Sequence, residues 1–138
     1  SLNQNLLWQW QANPMPHWKM NLNGVDRFYA VTKLDSTQNL WNAPNLYMQK
    51  IPADSFEFTV QLSFKPNQVG EKAGLLLFGS SYAYIGLEKI AAGNQLIFTR
   101  CLLAEKNGKE EMDLIAIQFL NFEYPELQMD FLILGLSF

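Results

Sequence analysis

The 138-residue chain is poor in the residues that reactive chemistry needs. It has one cysteine, Cys101, which excludes an internal disulfide framework and a thiolate zinc site. Cys101 lies in the apolar run Leu96–Leu103 and reads as a buried small hydrophobe. The only histidine is His17. A Ser-His-Asp site would have to use it, yet Gly79-Ser80-Ser81 is followed by a strand pattern and not by the helix of a nucleophile elbow. His17 also lacks nearby carboxylates to share a metal, so it reads as an exposed or loop-capping side chain. The ten Lys and Arg are scattered among thirteen acids, giving a net charge of −3. That argues against nucleic acid or an anionic membrane as partner. No apolar run approaches the ~20 residues of a membrane-spanning helix. Gly70, Gly74 and Gly79 lack the frame of a phosphate loop. No window holds helical spacing with caps, and no repeat, linker or low-complexity segment divides the chain. The start at Ser1, amid Asn and Gln, reads as a processed end, so a missing leader does not fix the compartment.

What the chain does have is apolar and aromatic residues in strand order, 49% and 14% of the total. Phe56, Phe58, Val60, Leu62 and Phe64 alternate with polar residues, which predicts a strand with one buried face. Two apolar runs, Ala73–Phe78 and Ala83–Lys89, flank Gly79-Ser80-Ser81 and predict a hairpin whose strands are covered on both faces. Further strands are expected over Leu6–Gln11, His17–Leu22, Arg27–Leu34, Gln95–Leu103, Met112–Phe122 and Leu127–Phe138. Shorter ones are expected at Leu40–Pro44 and Leu46–Ile51. Asn13-Pro14-Met15-Pro16 breaks the first strand. Tight turns are expected at Asn23-Gly24, Gly93-Asn94 and Asn107-Gly108. Short strands with turns every ten or so residues predict a single all-β domain over 1–138, an antiparallel two-sheet β-sandwich.

The thirteen acids do not pair in any pattern. Glu57 falls on the wet face of its strand, while Glu105, Glu110 and Glu111 flank a turn and should be solvated. Glu88 alone is suggestive, and one carboxylate does not make a glycosidase pair. The tryptophans remain: Trp8, Trp10, Trp18 and Trp41. An aromatic face stacks on the C–H face of a sugar while nearby amides bond its hydroxyls. Trp41, Asn42, Asn45, Trp10 and Asn13 are the candidates for such contact. Core packing is the competing reading for each tryptophan.

These residues also carry a resemblance. Gln9-Trp10, Asn13-Pro14 and Trp18 resemble the opening Gln-Trp-x-x-Asn-Pro, with a following Trp-containing strand, of the C-terminal β-sandwich domain of family 43 glycoside hydrolases. These are β-xylosidases and α-arabinofuranosidases. Leu40–Gln49 is similar to the family's Leu-x-x-Ala-x-Asn-x-Leu-x-Gln. Gly70–Leu75 and Tyr82–Gly86 are similar to its Gly-Asp-x-Ala-Gly-Leu and Tyr-x-Tyr-Ile-Gly. The likeness fades after Leu103. The family's later Asp-Gly turn and Trp are missing, and Leu134–Phe138 only faintly resembles its closing Leu-Gly-x-x-Phe. By this resemblance the domain is shorter than its relatives, either truncated in its C-terminal part or with segments lost from it.

The resemblance implies a concanavalin A-like jelly roll that accompanies a five-bladed propeller. The propeller carries the catalytic carboxylates, so this chain should not hydrolyse glycosides by itself. In relatives the sandwich docks on the propeller, lends a loop to its pocket rim and helps some members form homo-oligomers. The substrate would be a plant cell-wall oligosaccharide from xylan or arabinan side chains, and the setting a bacterium's secreted or periplasmic space. No cofactor is implied, and a structural calcium is left open. Two other readings compete with the accessory role: a free-standing carbohydrate-binding module resting on the Trp and Asn candidates, and a hydrolase in its own right.

Overall fold

Alternation decides which segments become strands and which faces they bury. The computed structural model describes residues 8–29, 39–51, 55–120 and 126–134, from 113 on as backbone alone. Strands β1 (Gln9–Trp10), β2 (Lys19–Leu22), β3 (Val25–Phe28) and β4 (Tyr47–Met48) occupy the first part. They are followed by β5 (Ser55–Ser63), β6 (Lys72–Leu77), β7 (Tyr82–Ile90), β8 (Gly93–Cys101), β9 (Glu110–Leu120) and β10 (Glu126–Leu134). Every pairing is antiparallel, and no α-helix occurs among the described residues. The all-β antiparallel expectation is met. β6-β7-β8-β9 form a four-stranded meander, while β1 pairs with β4, β2 with β3, and β10 with β5.

β5 keeps the predicted period of two. Phe56, Phe58, Val60 and Leu62 are half-buried, and the five residues between and beside them are exposed. At the β2–β3 connection, Asn23 (φ 52°) and Gly24 (φ 81°) both take positive φ. That is the two-residue turn whose twist suits a hairpin, and it sets Leu22 opposite Val25.

In the meander, β7 and β8 form the interior. Tyr82, Leu87, Ile97 and Cys101 are completely buried on them. Cross-strand partners share a face. One face carries Ala73, Leu75, Leu77, Ala83, Ile85, Leu87, Leu96 and Phe98, an apolar layer bounded by Arg100 at one end and the Lys89–Asn94 pair at the other. The other face carries Tyr82, Tyr84, Glu88, Gln95, Thr99 and Cys101. On this mixed face Gly74 stands directly opposite Gly86. A Cβ on Gly74 would lie 2.3 Å from the Ile85 carbonyl oxygen, and one on Gly86 the same distance from that of Ala73. Two glycines let the two backbones come this close.

Several expectations need correction. β6 is an edge strand among the described residues and leaves Lys72 and Gly74 exposed, so the first arm of the central hairpin is not covered on both faces. Leu40–Pro44 makes turns and no strand. The Gly93-Asn94 turn lies two residues earlier, at residues 91–92, and Gly93 already pairs with Ile90. Asn107-Gly108 does not make a two-residue hairpin. Leu103 adopts a left-handed conformation (φ 52°, ψ 47°) and starts a 3-10 turn, Ala104–Lys106, which Asn107 (φ 63°) closes through its N–H to the Ala104 oxygen. Gly108 then passes so near Leu102 that a Cβ would sit 1.8 Å from that residue's carbonyl oxygen. The dipeptide therefore closes a 3-10 turn, and the reversal from β8 to β9 is made by the whole 102–109 loop instead of by two residues. Parts of the expected strands at 6–7, 30–34 and 121–122, and the closing residues 135–138, lie outside the described residues.

Candidate functional site

Around β1 and β4 the aromatic side chains form one continuous group. Trp8 stacks on Tyr47 with centroids 5.3 Å apart. Trp10 meets Tyr47 at 4.9 Å, Trp18 edge-on at 5.6 Å and Phe28 edge-on at 6.1 Å. Trp8 and Trp10 thus meet the same ring, as their spacing of two requires. Trp18 is buried, whereas Trp10 is only half-buried. Three ring partners fix the Trp10 indole, and its remaining surface lines an open cleft of about 390 Å³ with Pro14, Met15, Pro16, Lys19 and Asn21. The Lys19 ammonium pairs with Asp26 at 3.1 Å and lies 4.9 Å from the centroid of the Tyr47 ring. Asn21 donates to Asp26 Oδ1 at 2.8 Å and accepts from the Gly24 N–H at 3.3 Å. The Asn21 amide above all holds the Asp26 carboxyl below the usual carboxylate range; burial opposes it, and Lys19 adds to the lowering.

The other candidates do not join this cleft. Trp41 stacks on Phe78 at 5.7 Å, and Phe78 stacks on Tyr82 at 5.9 Å. Trp41 therefore packs against the buried cluster of Tyr82, Cys101 and Ala104. Asn42 is exposed and Asn45 half-buried. Asn13 is exposed too, and the cleft is lined by the three residues that follow it. His17 is exposed.

The segment bearing Trp41 is latched to the meander. The Leu40 N–H donates to the Tyr82 hydroxyl at 2.8 Å, and that hydroxyl donates to Glu110. Asn39 donates to the carbonyls of Ala104 and Gly108 at 3.0 and 2.8 Å, and accepts from the Trp41 N–H at 2.9 Å. The Cys101 thiol donates to the Gly108 carbonyl at 3.3 Å. Burial raises its pKa, so it stays a thiol and fits the reading of a buried small hydrophobe. Burial, and then the Glu110 carboxylate, push the Tyr82 phenol far above its ordinary range. Glu110 is thus a half-buried hydrogen-bond partner and not the solvated charge expected beside a turn.

Among the described residues Glu88 has no acid partner. It takes Lys72 at 3.2 Å and the Gln95 amide at 2.9 Å, a polar row across β6, β7 and β8. Glu111 pairs with Arg100 at 2.9 Å. Among the described residues no three His, Cys, Asp or Glu side chains gather where a metal ion could sit. No helix among them is long and apolar enough to cross a membrane.

Sequence reasoning placed Trp10 in a strand and the prolines in a break. It did not see that the break folds back to wall the indole. Lys19 and Asn21 alternate on β2 opposite Phe28 and Asp26, so period-two spacing was the available signal. Comparison with known proteins gives one result: the chain matches the family model of the beta xylosidase C-terminal concanavalin A-like domain over residues 2–132. No curated protein and no solved structure matches it.

Proposed function

The chain belongs to the beta xylosidase C-terminal concanavalin A-like family, and from that premise we propose that it is the accessory domain that docks on a family 43 propeller through the β2–β3 ribbon and shapes the rim of its substrate pocket. One observation carries the docking surface. Met20, Leu22 and Val25 share the outer face of the ribbon and are 48%, 40% and 62% exposed. A two-stranded ribbon is marginal by itself, and apolar residues grouped on an exposed face mark contact surfaces. Arg27 completes that face, giving the apolar centre and charged margin of an interface.

The chemistry supports a non-catalytic role. Glu88, Glu110, Glu111 and Asp26 are each tied to a non-acidic partner. Bond cleavage in xylan or arabinan side chains would then belong to the propeller, with both domains in the secreted or periplasmic space where the polymer is found. A free-standing carbohydrate-binding role on Trp41, Asn42 and Asn45 has less support, because Trp41 packs on Phe78.

The test is to make the propeller of the parent glycosidase and this chain separately, mix them and sediment the mixture. A one-to-one complex is expected, lost on Met20→Lys with Val25→Lys. Two free species, or self-association of this chain with no propeller bound, would refute the reading.

A further inference from the structure

The cleft lined by Trp10 lies on the inner face of the ribbon, away from the apolar surface just described. Lys19 and Asn21 line it, while Met20 and Leu22 point to the opposite side. Its floor is one half-buried indole held by Trp18, Phe28 and Tyr47. Its wall is Pro14-Met15-Pro16, where two prolines restrict the backbone. A site built this way needs little reordering when it binds.

The polar groups indicate what such a ligand must offer. An ammonium has three donors, and Asp26 and Tyr47 engage Lys19 on two sides. The Asn21 amide gives one of its two N–H groups to Asp26. Counted among the described residues, these contacts leave one donor on each side chain beside the ring. The Lys19–Asp26 pair is neutral overall, so the site does not select for charge. A half-buried indole lining a cleft beside an ammonium and an amide suits a flat carbon face edged with oxygens, which describes a sugar ring.

We propose that the Trp10 cleft binds one sugar ring of a pentose oligosaccharide, with its C–H face on the indole and its oxygens on Lys19 and Asn21. The choice of pentose rests on the family 43 reading; the cleft itself does not.

The experiment titrates the 138-residue chain with xylotriose, arabinotriose, cellotriose and an acidic xylotriose bearing one glucuronate, following tryptophan fluorescence and amide NMR shifts. Saturable millimolar binding of a pentose trisaccharide is expected, with shifts at residues 10–21. Lys19→Met should weaken it about tenfold, the worth of one charge-assisted hydrogen bond. Trp10→Phe, which keeps a ring against Trp18, should weaken it by a similar factor. Met15→Ser, at an exposed position, should leave the fold intact and reduce affinity less. Binding to the glucuronate-bearing chain alone would overturn the neutral-ring assignment. Equal binding of cellotriose would overturn the pentose choice and leave the cleft standing. No saturation with any sugar, or binding indifferent to Lys19→Met and Trp10→Phe, would overturn the proposal, and docking would be unaffected by that result.

Discussion

The meander β6–β9 and the ribbon β2–β3 are both antiparallel and joined by short turns, yet they use their apolar residues in opposite ways. On β7 and β8, Leu87, Ile97 and Cys101 are sealed, and the neighbouring loops are tied down by Tyr82, Asn39 and Ser81. On the ribbon no residue is buried, and Phe28 is 54% exposed despite its contacts with Trp10 and Tyr47. The meander is held by its own packing. The ribbon has a sound turn and register, but among the described residues nothing covers its outer face. An apolar face left exposed while the core closes elsewhere is the feature on which the proposed docking rests.

The comparison is broken most severely by Gly86→Ala. The added methyl would fall 2.3 Å from the Ala73 oxygen and push β6 off β7. The expected loss is about 3 kcal/mol, a fall in Tm on the order of 10 °C, read by thermal melting. Tyr82→Phe comes next. It leaves the Leu40 N–H and the Glu110 carboxylate without their shared partner, which should cost about 2 kcal/mol in chemical denaturation. Val25→Lys on the ribbon should change stability by less than about 0.5 kcal/mol while weakening propeller binding. A large stability loss there would mean that the face packs within this chain. The smallest effect is acid dependence at Asp26. Its carboxyl is held below the unfolded value, so the stability it adds is present above that value and is lost as pH falls through the folded one. Because the group is substantially exposed, acid titration should show only a few tenths of a kcal/mol. Lys19→Met should remove part of that, the share left by the Asn21 amide remaining.

The two regions were also unequally legible in the sequence. Strict alternation gave β5 in full, because one wet and one covered face leave a period-two pattern that nothing else imitates. Asn23-Gly24 announced its turn because both residues accept positive φ. Asn107-Gly108 carried the same local signal but sits after Leu103, whose left-handed backbone starts a 3-10 turn first. No local pattern foretells a leucine in that conformation. The motif glycines Gly74 and Gly86 were recognisable as family positions, yet their reason is a cross-strand contact that only pairing reveals. Of the site candidates, Trp10 proved to border open space and Trp41 to pack against the core. Both are aromatic residues near turn signals, and what separates them is tertiary. Phe78 reaches one, whereas Pro14 and Pro16 leave a gap over the other.

The most direct measurement is hydrogen exchange of this chain with and without its propeller partner. The account predicts that added protection concentrates on residues 19–28, with the meander, already slow, unchanged. Protection confined to the meander or to the loop at 102–109, with the ribbon still exchanging freely, would contradict it.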